Sequence, residues 1–154
     1  MPAEIERKFL VSEIPQHLSY KKEDKISQGY IAFEPGRNEV RVRQKGEKYF
    51  LAVKSGGGLS RNETELEITQ PQFNELWATT EGQRLEKDRR EYTHGELIIE
   101  LDIYRGRLQG LLVAEVEFPS EEAANSFSPP DWFGQEITED NHYRNRQLAI
   151  SGLP

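Results

Sequence analysis

Carboxylates recur in pairs two residues apart along this chain: Glu4 and Glu6, Glu63 and Glu65, Glu100 and Asp102, Glu115 and Glu117. Basic residues keep the same spacing at Arg41 and Arg43 and at Lys87 and Arg89, with Lys8 and Lys54 as single members. Residues two apart on a strand share a face, so each pair sets two like charges side by side. Crowding of that kind repels and persists mainly where opposite charge compensates it. Both signs at one spacing point to a site that holds an anion and its cations together. Arginine forks onto phosphate oxygens and lysine adds a compact charge, which suits a polyphosphate. The carboxylates suit Mg²⁺ or Mn²⁺, hard ions that prefer oxygen ligands.

The elements that must position these groups are strands. Period-two alternation runs over Glu4–Val11, Ser27–Phe33, Glu39–Arg43, Tyr49–Lys54, Arg61–Ile68, Arg84–Tyr92, Glu96–Tyr104 and Leu112–Phe118. That is about eight strands, in line with a sheet that curls or closes. Alternation alone would describe an ordinary sheet with one face in water. Such a face usually mixes threonine, serine and glutamine with scattered charge, whereas these polar faces are built from paired acids and bases. If the sheet closes, the charged faces line a channel and the apolar faces pack outward under helices, reversing the usual small barrel. Buried charge is costly unless water, metal and ligand fill the space.

Three helices are expected: Pro71–Ala78, with proline near its start; Glu121–Phe127, with Ser120 as N-cap; and Asp140–Ile150, stopped by Gly152. Gly56-Gly57-Gly58 lacks the G-x-x-x-x-G-K-[ST] pattern and reads as a hairpin loop. Trp77 with Phe73, and Trp132 with Phe133, read as packing groups. Lys21-Lys22-Glu23-Asp24 reads as a solvated charge run.

Length bounds the answer to one domain over residues 1–154. A net charge of −7 disfavours nucleic acid as the main partner. Cysteine is absent, which excludes disulfides and thiol nucleophiles, and His17, His94 and His142 lack ligand spacing for zinc. No apolar run reaches the length of a membrane span and the first residues read as no signal peptide, so a cytoplasmic location is expected.

In order along the chain, Glu4-x-Glu6-x-Lys8, Glu39-x-Arg41-x-Arg43, Lys54, Glu63-x-Glu65, Lys87-x-Arg89, Glu100-x-Asp102 and Glu115-x-Glu117 form a specific series. On it the sequence resembles the CYTH superfamily, the triphosphate tunnel metalloenzymes, over nearly its whole length, and looks most like short bacterial members that hydrolyse tripolyphosphate. The resemblance implies a β-dominated α+β fold: an eight-stranded antiparallel closed β-barrel with outer helices and a C-terminal plug helix around Asp140–Ala149. It implies phosphate binding by Lys8, Arg41, Arg43, Lys54, Lys87 and Arg89. It implies Mg²⁺ or Mn²⁺ binding by a subset of Glu4, Glu6, Glu63, Glu65, Glu115 and Glu117, with Asp102 a further candidate, and catalytic roles for Lys87, Glu6 and Glu63. The family commonly carries a basic residue before the plug tyrosine, where this chain has His142 before Tyr143. The expected activity is metal-dependent release of phosphate and pyrophosphate from tripolyphosphate. Nucleoside or thiamine triphosphatase and adenylate cyclase are alternatives on the same fold, and a non-enzymatic polyphosphate- or nucleotide-binding module is the alternative of another class. A homodimer is compatible with the sequence.

Overall fold

In the computed structural model, which describes residues 3–34, 38–57 and 60–154, strands dominate. They are β1 (Ala3–Leu10), β2 (Lys22–Phe33), β3 (Asn38–Lys45), β4 (Lys48–Gly57), β5 (Ser60–Ile68), β6 (Arg84–His94), β7 (Leu97–Tyr104) and β8 (Leu112–Glu117). The helices are α1 (Gln70–Trp77), α2 (Glu121–Ser126) and α3 (Asn145–Ser151). All strand pairings are antiparallel, in the order β1-β5-β4-β3-β2-β6-β7-β8. The curled sheet is joined across β1 by two halves of one strand: Ala3–Ile5 pair with β5, and Glu6–Leu10 pair with β8. The tight β3–β4 and β6–β7 hairpins turn on Gly46 and Gly95, whose φ values of 59° and 62° supply the left-handed backbone such turns require.

The outward faces of β1 and β6–β8 carry one apolar cluster, with Tyr92, Ile99, Leu101, Ala114, Val116 and Phe118 packed against Ala124 of α2 and the rings of Phe127, Trp132 and Phe133. Arg7 also points outward from β1: it pairs with Glu136 at 2.7 Å and donates to the Ala124 carbonyl at 2.8 Å, tying the C-terminal half onto the sheet. A second cluster gathers Tyr30, Leu85, Tyr104 and Val113 around Leu148 and Ala149 of α3, with Leu10 against it. Leu10, Leu85, Tyr104 and Val113 stand two residues on from Lys8, Lys87, Asp102 and Glu115, so they continue the same faces. The inward surface is thus charged along most of its length and turns apolar at the α3 end.

Local chemistry sets the helices. Thr69 caps α1 in a reciprocal capping box with Gln72, and Pro71 occupies the first turn. Ser120 caps α2 by accepting from the Ala123 amide, with Glu121 and Glu122 in the first turn where the helix dipole favours them. Two expectations need correction and a third needs an addition. The expected helix over 140–150 is broken: Asp140 caps a 3₁₀ turn at Asn141–Tyr143, the backbone is extended at Arg144 (φ −67°, ψ 138°), and α3 begins afterwards. Gly56 and Gly57 belong to β4, paired with Arg61 and Ser60, while Gly58 lies outside the described residues. Lys21, Lys22 and Glu23 are exposed, as a solvated run should be, but Lys22, Glu23 and Asp24 also open β2 opposite Glu91, Arg90 and Arg89, and Glu23 meets Arg90 at 2.7 Å.

Gly29 of β2 lies under Thr80, which follows α1; a Cβ there would meet Thr80 Oγ1 at 2.5 Å and Cβ at 2.7 Å. Thr80 is fully buried and accepts from Arg84 Nε at 3.0 Å, so it has little freedom to retreat. Gly29→Ala is therefore expected to destabilise the protein by about 1–3 kcal/mol, the usual cost of overpacking. Chemical denaturation measures it; an unchanged midpoint would show that the α1 segment is not seated on that glycine.

Candidate functional site

The inward faces converge on a cavity of about 220 Å³ whose wall is almost wholly polar. β1 supplies Glu4, Glu6 and Lys8; β3 supplies Arg41 and Arg43; β4 supplies Lys54; β5 supplies Glu63 and Glu65; β6 supplies Lys87 and Arg89; β8 supplies Glu115 and Glu117. Every residue expected at the site is therefore in this wall except Asp102, which is 2% exposed and lies behind it. Glu67, on the same face of β5 as Glu63 and Glu65, is exposed and takes no part.

Opposite charges pair across strands. Arg41 meets Glu63 at 3.4 Å, Arg43 meets Glu65 at 3.1 Å, Lys54 meets Glu4 at 3.1 Å and Lys8 meets Glu115 at 3.9 Å. Lys87 donates to Asp102 at 2.7 Å, and Arg89 forks onto the same carboxylate at 2.7 and 2.9 Å. Even so, Arg41 Nε and Arg43 Nε are buried donors without an acceptor among the described residues.

Crowding and burial displace the titrations. Burial, then the charge of Glu115, pushes Glu6 up to about 8, and the two carboxyls share a proton. Burial raises Glu4 as well, and it hydrogen-bonds Glu63 in the same manner. Burial brings Lys87 down to about 7 against the pull of Asp102, and brings Arg43 down to about 10 with help from Arg41 and Arg89. Burial would raise Asp102 too, yet Arg89 and Lys87 hold it below its ordinary value. Among the described residues no three acids or imidazoles are arranged to hold a metal ion, because the carboxylates turn onto the neighbouring cations or share protons in pairs. The donor set still fits a hard divalent ion: it is all oxygen, and two proton-sharing carboxyl pairs are places where a cation can replace a proton.

Several wall residues escaped the sequence expectations. Lys45 extends the Glu39-x-Arg41-x-Arg43 alternation by one step, while Glu39 and Glu100 stood in the recognised series without an assigned role. Tyr30 resembles a core residue and is fully buried, with its hydroxyl accepting from Gln28 at 2.8 Å. Arg144, in the break before α3, and Asn145, its first residue, reach the cavity, where Asn145 accepts from the Tyr104 hydroxyl at 2.5 Å. A continuous helix at 140–150 would have hidden them. His142 is exposed and bonded to Asp140, outside the cavity.

A curled antiparallel sheet that presents paired acids and bases to one enclosed space defines a class of site for a condensed anion and its counter-ions. The chain belongs to the CYTH domain family, whose model matches residues 2–146. It is similar to the inorganic triphosphatase of Nitrosomonas europaea, 47% identical over 150 residues, which are 96% of this chain and 97% of that protein. It is also similar to the inorganic triphosphatase of Acetivibrio thermocellus, 39% identical over 97% of this chain and 94% of that protein. The crystal structure of an inorganic triphosphatase superposes with a TM-score of 0.75 at 42% identity, covering 100% of this chain and 99% of the other. A putative adenylyl cyclase from Hippeastrum shares the fold alone, with a TM-score of 0.59 at 19% identity over 79% of this chain and 82% of that one.

The raised Glu6 titration carries a stability consequence. Between pH 4.5 and about 8 the folded protein keeps a proton that the unfolded chain has released, so stability falls as pH rises through that window. Lys87 acts in the opposite sense, and only above about pH 7. In chelator, the melting temperature of Glu6→Gln should decline less than that of the wild type between pH 4.5 and about 7. Parallel declines would mean that another group carries the proton.

Proposed function

We propose that this chain is an inorganic triphosphatase, a metal-dependent hydrolase that cleaves tripolyphosphate to phosphate and pyrophosphate. The observation that carries the reading is one cavity lined by eight cationic and eight acidic side chains, all but Arg144 carried on seven strands, in a chain matched end to end by relatives named for that activity. The whole chain acts as one domain, and the ring of strands works as a closed tunnel. Its α3 end is plugged by the apolar layer around Leu148, so substrate enters from the end marked by Lys45 and Glu100.

Lys8, Arg41, Arg43, Lys54 and Arg89 bind and orient the phosphate chain. Glu4, Glu6, Glu63, Glu65, Glu115 and Glu117 would hold Mg²⁺ or Mn²⁺, which neutralises phosphate charge and favours attack by water when bound. Glu63 and Glu6 also stand where a carboxylate can orient that water. Water adds to a terminal phosphorus, the bridging P–O bond breaks in line, and the departing pyrophosphate oxygen takes a proton from Lys87. With its ammonium brought down to about 7, Lys87 suits that donation near neutral pH. No covalent nucleophile is needed, because phosphoryl transfer depends mainly on positioning and charge. Tyr30 is the one aromatic residue in the cavity wall among the described residues, and it is fully buried. Nothing there offers a stacking surface for a nucleobase or a thiamine ring, which favours the inorganic substrate.

Phosphate release from tripolyphosphate, ATP and thiamine triphosphate, with Mg²⁺ and with chelator, tests the proposal. Release from tripolyphosphate with Mg²⁺ and its loss with chelator are expected. Lys87→Ala should lower turnover by about 100-fold or more, the scale of a lost general acid. Preference for ATP, or near-normal turnover in that variant, would contradict the assignment.

A further inference from the structure

The ion pairs of the cavity fall into two kinds. Glu115, Glu4, Glu63 and Glu65 are themselves wall residues, with side chains 14–33% exposed, and each is free to leave its cation when another charge enters. Asp102 differs. It is 2% exposed, stands outside the wall, and commits both oxygens: Oδ1 to Arg89 Nε, Oδ2 to Arg89 Nη2 and Lys87 Nζ. The sheet sets this up, since Asp102 lies directly opposite Arg89 in the β6–β7 pairing and diagonally from Lys87, whose own partner is Tyr104.

Resting on the functional reading above, we propose that Asp102 is a positioning residue that holds Lys87 and Arg89 as the fixed cations of the site, and that it is not a metal ligand. By taking one edge of the Arg89 guanidinium, it leaves Nη1 on the cavity side, 3.6 Å from Glu100. By taking one donor of Lys87, whose ammonium also lies 5.4 Å from the centre of the Tyr104 ring, it leaves the other two for substrate. Two cations two residues apart on one face would otherwise repel and splay; a shared carboxylate between them fixes their separation. The remaining cations exchange partners as substrate and metal arrive, while these two keep theirs.

A double-mutant cycle separates positioning from general damage. Asp102→Asn keeps the shape but removes the charge; in the wild-type background it should lower kcat for tripolyphosphate by about 100-fold, the scale for misplaced reacting groups. In a Lys87→Ala, Arg89→Ala background it should cost little more, since the groups it positions are gone. The Mg²⁺ concentration for half-maximal rate should stay within about twofold of wild type. An equal loss in both backgrounds would overturn the proposal, and so would a tenfold rise in the Mg²⁺ requirement. If Asp102→Asn does not fold by circular dichroism, Asp102→Glu serves: it retains a carboxylate but displaces it by one methylene, and unchanged kcat there would refute positioning. If wild type releases no phosphate, the functional reading fails on its own, and the cycle is read from the heat of tripolyphosphate binding, where additive losses overturn the role of Asp102 and absence of binding overturns both.

Discussion

Charge enclosed by a sheet is the constraint on which the rest depends. Placing carboxylates and cations inside a small space is costly unless each finds an opposite charge, a proton or a ligand. This protein meets that demand by register: each pair reaches over one intervening strand, Arg41 to Glu63 and Arg43 to Glu65 across β4, and Lys54 to Glu4 across β5. Where acids crowd together, as at Glu6 and Glu115 beside Lys8, burial and the neighbouring carboxylate favour a retained proton on Glu6. A one-residue slip in any strand would reverse its faces and destroy the pattern. Apolar clusters outside the sheet and at the α3 end then supply what the charged interior cannot, a hydrophobic core.

The same constraint prepares the interior for ligand. Paired charges and shared protons are provisional solutions, and Arg41 Nε and Arg43 Nε remain unanswered. On the proposed function, a polyanion with divalent cations would satisfy both halves of the wall together, so metal and phosphate would share one site. On the proposed positioning role, Asp102 is the exception that would give the arrangement a fixed reference, because both its oxygens are engaged by Lys87 and Arg89.

Much of this was legible from spacing. Pairs two apart on alternating segments locate the strands and their inward faces together, because one period controls both. What stayed hidden had specific physical causes. Asp102 looks identical to a ligand in sequence, and only its depth behind the wall separates it from Glu100. Arg144 and Asn145 sit within a stretch of helical pattern, but Asp140 caps the start of a separate 3₁₀ turn and the extended backbone at Arg144 ends it before α3 begins. Tyr30 carries no sign that a buried core ring also borders a polar cavity. Cross-strand pairing kept Lys22–Asp24 in β2 although their composition resembles a solvated run.

The most direct measurement is thermal unfolding of Lys87→Ala, which retains the other seven cations of the wall without fast turnover, in the presence of tripolyphosphate, Mg²⁺, both, or neither. If one wall holds anion and cation together, the two ligands should raise the melting temperature by more than the sum of their separate effects, since each lowers the cost of binding the other. Additive shifts, or none with tripolyphosphate, would mean that the converging charges do not form a common site.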